Sequence, residues 1–349
     1  MDLQMWGWNA FFEAAFAPYA GAAVAGRVVW ENRGHARVQT EAGEMPVTVS
    51  GALDGPRRPV TGDWVAVDAG RRQVAALLPR RTRLSRKMAG RQVAEQVLAA
   101  NVDQLLLVTA LDNDLNIHRL ERYLLMAIEC GVAPVVILNK SDLADDPIAR
   151  LRAADGVVKS CSRGDIPVTL MCALDPGSVA QLNRYLEPGE TAALAGSSGT
   201  GKSTIVNTLL GADRQPVQAV REDDHRGRHT TTTRELFRLP AGWLLIDTPG
   251  LRELEPWATP DAVHAVFADV DRLAADCRFR DCRHSGEPGC SVLKALRDGL
   301  LDPGRMASFH KLRAEMEHLR RRENRPAAEE YKRRVKSVHR EMRRRAPRA

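Results

Sequence analysis

The sequence predicts a multidomain α/β protein in three parts. An OB-type β-barrel comes first. A parallel sheet with flanking helices and a phosphate-binding loop follows, and a helical C-terminal region braced by a metal closes the chain. Three observations predict it. Short alternating strands with glycine-rich turns fill the first quarter. Apolar strands alternating with helices then surround Gly196-Ser197-Ser198-Gly199-Thr200-Gly201-Lys202-Ser203. A cluster of three cysteines and one histidine precedes a basic tail.

Composition and length fit this division. A chain of 349 residues can fill two or three separate cores. No stretch approaches the roughly 20 apolar residues of a membrane span. The start, Met1-Asp2-Leu3-Gln4-Met5-Trp6-Gly7-Trp8, lacks a basic n-region, so no secretory signal is expected. Cys130, Cys161 and Cys172 are scattered, while Cys277, Cys282 and Cys290 gather around His284. One metal site in a reducing cytoplasm fits that usage better than a disulfide framework. The net charge is +7, yet the segment from Lys311 onward holds fifteen Lys/Arg against six Asp/Glu. The positive charge therefore sits in a tail, which points to a polyanionic partner, RNA first.

Residues 1–25 read as a helical extension. Phe11 to Phe16 forms a short amphipathic helix expected to pack on the barrel rather than on a membrane. Residues 26–85 read as the barrel. Its strands are Arg27–Trp30, Ala36–Gln39, Pro46–Ser50, Gly62–Val67 and Gln73–Leu78. Such a barrel binds single-stranded nucleic acid or is purely structural, and strands alone do not decide. Arg80 to Lys87 reads as a basic linker, either solvated or touching phosphates.

Residues 86–255 change pattern. Asp103–Thr109, Pro134–Leu138 and Val168–Met171 are buried strands, and Ile117 to Cys130 has apolar residues at helical spacing. The second strand ends in Asn139-Lys140-Ser141-Asp142, an N-K-x-D element, where open α/β sheets bind ligands. The Asp142 carboxylate can accept from N1–H and the exocyclic amine of guanine, whereas adenine lacks that donor pair. Asn139 can reach the other edge of the base, and the Lys140 stem can cover its face. Cys172-Ala173-Leu174 stands where GTPases often carry Ser-Ala-Lys, so a backbone N–H at Ala173 is a candidate contact to guanine O6.

The phosphate loop follows the strand Ala192–Ala195 and opens the helix Ser203–Leu210. Its glycines let successive N–H groups point inward, and the helix N-terminus faces the phosphates. Lys202 would bridge the β- and γ-phosphates and Ser203 would ligate Mg²⁺. Ala212 to Arg228 reads as a loop that ends in Gly227-Arg228-His229-Thr230-Thr231-Thr232-Thr233. Thr231 or Thr232 is the candidate to complete the Mg²⁺ shell. Leu244–Gly250 is a strand ending in D-x-x-G, with Asp247 on Mg²⁺ and the Gly250 N–H on the γ-phosphate. An ordinary GTPase places its phosphate loop first, but here N-K-S-D precedes it. Joining old termini and opening the chain elsewhere yields the same sheet, a circular permutation.

Residues 256–349 hold the metal cluster and the tail. Cys277, Cys282, His284 and Cys290 make a closed tetrahedral zinc set with no open position, so the metal is expected to be structural. From about residue 304 the chain reads as helical, with Arg320-Arg321-Arg322 and Arg343-Arg344-Arg345 as phosphate-contact candidates.

Together these motifs resemble the circularly permuted small ribosomal subunit biogenesis GTPases of the RsgA type. The resemblance runs from about Arg27 to about Leu312. It rests on Gly62-Asp63-Trp64-Val65, Ala100-Asn101-Val102-Asp103, Asn139-Lys140-Ser141-Asp142-Leu143, the phosphate loop, Arg228-His229-Thr230-Thr231, Asp247-Thr248-Pro249-Gly250 and Cys277-Arg278-Phe279-Arg280-Asp281-Cys282 with His284. It implies an N-terminal OB barrel, a permuted GTPase core and a C-terminal zinc domain. It further implies GTP hydrolysis to GDP and phosphate, stimulated by the small ribosomal subunit late in its maturation. Contacts to rRNA by the barrel, zinc domain and tail come with it. The implied cofactors are one structural Zn²⁺ per chain and Mg²⁺ with GTP. The chain is expected to be cytoplasmic, free of membrane and monomeric off the ribosome. Nucleotide contacts are carried onto Asn139, Lys140, Ser141, Asp142, Ala173, Gly196 to Thr204, and Gly250.

One departure bears on rate. Many GTPases follow D-x-x-G with a glutamine that orients water, and here Leu251 cannot hydrogen-bond. Slow unaided turnover is expected, with Lys202 stabilising charge and His229 the internal candidate for the missing group. An alternative stays open: an RNA-binding module with a structural nucleotide site. Intact Lys202, Ser203 and Asp247 speak against it.

Overall fold

The computed structural model describes residues 2–32, 34–51, 53, 57–87, 95–111, 116–161, 165–211, 234–247 and 259–317. The first five strands close a barrel. They are β1 (Val24–Asn32), β2 (His35–Thr40), β3 (Gly43–Val49), β4 (Trp64–Asp68) and β5 (Gln73–Leu77). Hydrogen bonding runs β1-β2-β3-β5-β4 and returns from β4 to β1. Only the β3–β5 pair is parallel. Alternation puts Val28, Val38, Val47, Val65, Val67 and Val74 inside. The helix α1 (Ala10–Phe16), capped by the Asn9 side chain on Phe11 and Phe12 N–H, plugs one end of the barrel. There Phe12 meets Trp64, with Leu3 and Leu78 beside them.

The segment expected as a basic linker is structured. Two strands, β6 (Arg83–Lys87) and β7 (Glu95–Ala100), pair antiparallel. Leu84 and Leu98 are buried in the main core, and that apolar face outweighs the charge of the segment. The charges of Arg80 and Arg83 are engaged. Arg83 pairs with Glu95 at 2.8 Å, and Arg80 holds the buried Asp63 carboxylate through two bonds of 2.8 and 2.7 Å.

The second sheet contains β8 (Gln104–Ala110), β9 (Ala133–Asn139), β10 (Val168–Leu170), β11 (Thr191–Ala195), β12 (Glu235–Arg238) and β13 (Leu244–Asp247), in the order β10-β9-β8-β11-β13-β12. All pairs are parallel except β12–β13. The chain thus enters at β8, runs outward to β10, and crosses back to β11 on the other side of β8. Around the sheet pack α2 (Ile117–Cys130), α3 (Pro147–Cys161), α4 (Pro176–Ala180) and α5 (Lys202–Leu210). The amphipathic α2 buries Leu120, Leu124 and Leu125, begins at the Asn116 cap and ends at Gly131. Edge strand β12 also meets β1, antiparallel at Trp30↔Glu235, so barrel and nucleotide sheet are continuous.

A second tie is the buried Arg27 guanidinium. It donates to Gly62 O, Trp6 O, Asn101 O and Thr191 Oγ1. Those partners belong to the barrel, the extension, the connection and the first residue of β11. Burial lowers its pKa to about 10, so it stays charged at neutral pH.

Of the C-terminal helices, α6 (Pro260–Val266) lies against α2 and α3, α7 (Ala268–Ala274) against α3, and α8 (Ser291–Arg297) against α7, while Arg122 of α2 bonds Glu315 of α9 (303–317). One apolar core holds Leu124 and Val158 together with Val266, Phe267, Val292 and Phe309. Within it Arg305 of α9 donates to Glu121 and to both Asp269 oxygens at 2.7 to 2.8 Å. Its plane also lies 4.5 Å over the Phe267 ring. No helix among the described residues is long and apolar enough to cross a membrane.

Candidate functional site

The phosphate loop leaves the C-terminal end of β11, a strand buried along its whole length. Two of its glycines are fixed by close approach. A Cβ on Gly196 (φ 148°) would lie 2.2 Å from Val108 O, and one on Gly201 (φ 91°) would lie 2.2 Å from Asn139 Nδ2. Gly201 caps α5, so the N-terminal end of that helix opens onto the loop. Ser198 and Gly199 are exposed, and Ser203 and Thr204 are half-buried. Lys202 folds back, with Nζ donating to Gly196 O at 2.8 Å and to Ser197 O. Thr200 Oγ1 donates to Ser197 O at 3.0 Å, and Tyr123 OH of α2 lies 3.3 Å from Ser197 Oγ.

N-K-S-D sits beside this loop, at the end of β9. Asn139 is 1% exposed and joins three loops. Its Nδ2 donates to Thr200 O at 2.8 Å, and its Oδ1 accepts from Ala173 N–H at 2.9 Å. The N–H expected to meet the base at Ala173 is therefore held by Asn139. A buried amide must be satisfied, and here the nearest acceptor is a side chain of the protein. Thr208 Oγ1 of α5 donates to Ala173 O at 3.0 Å, which ties the same loop to the phosphate-loop helix. Lys140 adopts a left-handed backbone (φ 60°) that turns the chain into Ser141–Leu143 and leaves Asp142 exposed. Asp247 ends β13, half-buried, directly opposite Glu235 of β12.

The structure thus brings together Asn139 to Asp142, Ala173 and the loop from Gly196 to Thr204, with Asp247 two strands from the N-K-S-D strand's neighbour. His229, Thr231, Thr232, Gly250 and Leu251 lie outside the described residues. Sequence reasoning missed Tyr123, which no motif flags, and missed the bridging geometry of Asn139.

The metal set is also assembled. Ligand atoms of Cys277, Cys282, His284 and Cys290 all lie within 4.8 Å of one another. Cys277 Sγ is 3.9 Å from Cys290 Sγ and 3.7 Å from His284 Nδ1, and His284 Nδ1 is 3.4 Å from Cys290 Sγ. A tetrahedral zinc ion would hold sulfur atoms about 3.8 Å apart and a nitrogen about 3.5 Å from sulfur. The cluster therefore fits a zinc site by donor type and by spacing. Burial of His284, aided by the Arg313 charge, lowers its pKa and favours the neutral imidazole that a metal needs. Glu287 accepts from Arg283 N–H (3.0 Å) and Ser285 N–H (2.7 Å), bonds that fix the loop and hold its carboxyl near a pKa of about 2.

Comparison with known proteins agrees with this arrangement. The family model described as RsgA GTPase matches residues 77–257. A protein of Opitutus terrae named small ribosomal subunit biogenesis GTPase RsgA is 46% identical over 342 residues, covering 92% of each chain. A protein of the same name from Methanosarcina acetivorans is 42% identical over 315 residues, covering 89% of this chain and 84% of its own. In fold, the crystal structure of YjeQ from Thermotoga maritima matches with a TM-score of 0.60 at 23% identity, covering 84% of this chain and 98% of that one. The chain belongs to the RsgA GTPase family.

Proposed function

We propose that this chain is a GTPase of small ribosomal subunit biogenesis, which binds the subunit late in its maturation and hydrolyses GTP to GDP and phosphate with the subunit's stimulation. One observation carries the reading. Asn139 joins the phosphate loop to the N-K-S-D and Ala173 loops at the carboxyl ends of parallel strands, beside the point where strand order reverses. A triphosphate seated on the α5 N-terminus would then have its base at Asp142.

In this reading the α5 N–H groups and the backbone of Gly196 to Thr204 hold the phosphates. Lys202 would exchange its bonds to the Gly196 and Ser197 carbonyls for the β- and γ-phosphates. Ser203, Asp247 and either Thr231 or Thr232 would hold Mg²⁺, which neutralises charge on the phosphates when bound. The Gly250 N–H senses the γ-phosphate. Asp142 selects guanine, Lys140 and Ser141 line the base, and Ala173 shapes its pocket while Asn139 holds the Ala173 amide. Leu251 offers no hydrogen bond to water, and His229 supplies or positions the missing group.

Cys277, Cys282, His284 and Cys290 would hold one structural Zn²⁺. The barrel, zinc region and basic tail contact rRNA, and the chain is a cytoplasmic monomer off the ribosome. We divide it into an extension (1–25), a barrel (26–85), a permuted GTPase domain (86–255) and a zinc region with tail (256–349). The test is competition for a fluorescent guanine nucleotide bound to the full chain. GTP displaces it at a concentration at least about 100-fold below ATP, because adenine leaves Asp142 unpaired. Equal displacement by ATP would overturn the guanine assignment.

A further inference from the structure

Four residues on four adjacent strands form one cross-strand row. Arg37 of β2 pairs with Trp30 of β1, Trp30 pairs with Glu235 of β12, and Glu235 pairs with Asp247 of β13. The row starts in the barrel and ends on the carboxylate assigned to Mg²⁺. The side chains of its first three residues are linked as well as their backbones. The Arg37 guanidinium lies 5.5 Å over the Trp30 ring and reaches past it to Glu235 Oε1 at 2.5 Å, while its other nitrogen holds Glu44 at 2.9 Å. One arginine of the barrel therefore spans a whole strand to grip the nucleotide domain.

Other barrel contacts converge on the same place. Thr61 Oγ1 donates to Arg234 O at 3.2 Å, and Glu31 Oε1 lies 3.9 Å from Arg234 Nη1. The barrel thus touches Glu235, the first residue of β12, and Arg234 just before it. Among the described residues the β1–β12 joint has a single registered pair, Trp30↔Glu235, and side chains supply further alignment.

We infer that Arg37 is a positioning residue for the metal-binding carboxylate: through Glu235 it holds the start of β12, the residue paired directly with Asp247, against the barrel. This rests on the assignment of Asp247 to Mg²⁺ made above. A small shift of β12 moves its partner across the ladder, and metal ligation tolerates displacements of only a few tenths of an ångström. The barrel accordingly has a connection to the nucleotide site that bypasses the phosphate loop. A change in the barrel's β1–β2 pair alters how strongly the site holds Mg²⁺.

The test uses the full chain, a fluorescent non-hydrolysable GTP analogue and a magnesium titration. Arg37→Gln and Glu235→Gln each raise the Mg²⁺ concentration for half-maximal analogue binding by about threefold, the range of a partly exposed ion pair. The double variant costs no more than either single, because both remove one interaction. Hydrogen exchange of the β12 and β13 amides rises in all three. A purely structural role for the pair would lower the melting midpoint without moving the Mg²⁺ requirement. An unchanged requirement in both singles, or costs that add in the double, overturns the inference. If wild-type binding shows no Mg²⁺ dependence at all, the assignment of Asp247 falls and takes the inference with it.

Discussion

The nucleotide domain is held on two sides, and the two joints are built differently. On the helical side Arg305 is buried among Glu121, Asp269, Cys161 and the Phe267 ring, inside a core shared by α2, α3 and the C-terminal helices. On the β12 side the barrel holds on through one registered backbone pair among the described residues, an ion pair whose side chains are each 37% exposed, the hydrogen bond from Thr61 to Arg234 O, the longer Glu31–Arg234 pair, and Val29 of β1 in the core that holds Leu236. Buried charge with matched partners is costly to break, whereas a half-solvated pair is worth little. The helical joint is therefore the stiff one and the β12 joint the adjustable one. Arg27 sharpens the contrast. It pins the barrel to Thr191, at the start of β11 and so at the end of the sheet away from the phosphate loop. The barrel is anchored far from the site and adjustable beside it.

Four variants test that contrast, from the largest expected effect to the smallest. Arg305→Met leaves Glu121 and Asp269 buried without their cation and should destabilise the chain by about 3–5 kcal/mol, read as a lower midpoint in denaturant. A loss under about 1 kcal/mol would erase the distinction between the joints. Lys202→Ala leaves both joints intact and removes the charge that meets the phosphates. GTP turnover should fall about 100- to 1000-fold, while the melting midpoint moves only by the loss of the Nζ bonds to Gly196 O and Ser197 O. Asn139→Ala strands Ala173 N–H and Thr200 O, a cost of about 1–3 kcal/mol, and should weaken guanine-nucleotide binding more than it lowers the melting midpoint. Arg37→Gln comes last, with a change in stability below about 1 kcal/mol, and its signature is the magnesium requirement. If Arg37→Gln destabilised the chain as much as Arg305→Met, the β12 joint would not be the adjustable one.

What the sequence made legible follows from range. The phosphate loop, N-K-S-D, D-x-x-G and the cysteine–histidine set are local patterns, and local geometry builds them. The five barrel strands were readable because short apolar runs containing Val28, Val38, Val47, Val65 and Val74 are set apart by turn residues such as Asn32-Arg33-Gly34 and Gly62-Asp63. The strand β6 was hidden because four basic residues surround Leu84, and only tertiary burial reveals it. At four residues, β12 carries too short a pattern to stand out. Arg305 was invisible for a different reason. Its partners Glu121, Cys161 and Asp269 lie 184, 144 and 36 residues away in the chain, and no spacing rule connects them. Asn139 was read as a base contact because N-K-x-D is a local motif. Its two bonds to Thr200 and Ala173 depend on the fold that brings three loops together.

The most direct measurement is GTP hydrolysis by the full chain with and without purified small ribosomal subunits. Slow turnover alone and a marked rise on adding subunits is the predicted result, because Leu251 leaves the chain without its own water-orienting glutamine. An identical rate in both conditions would contradict the account.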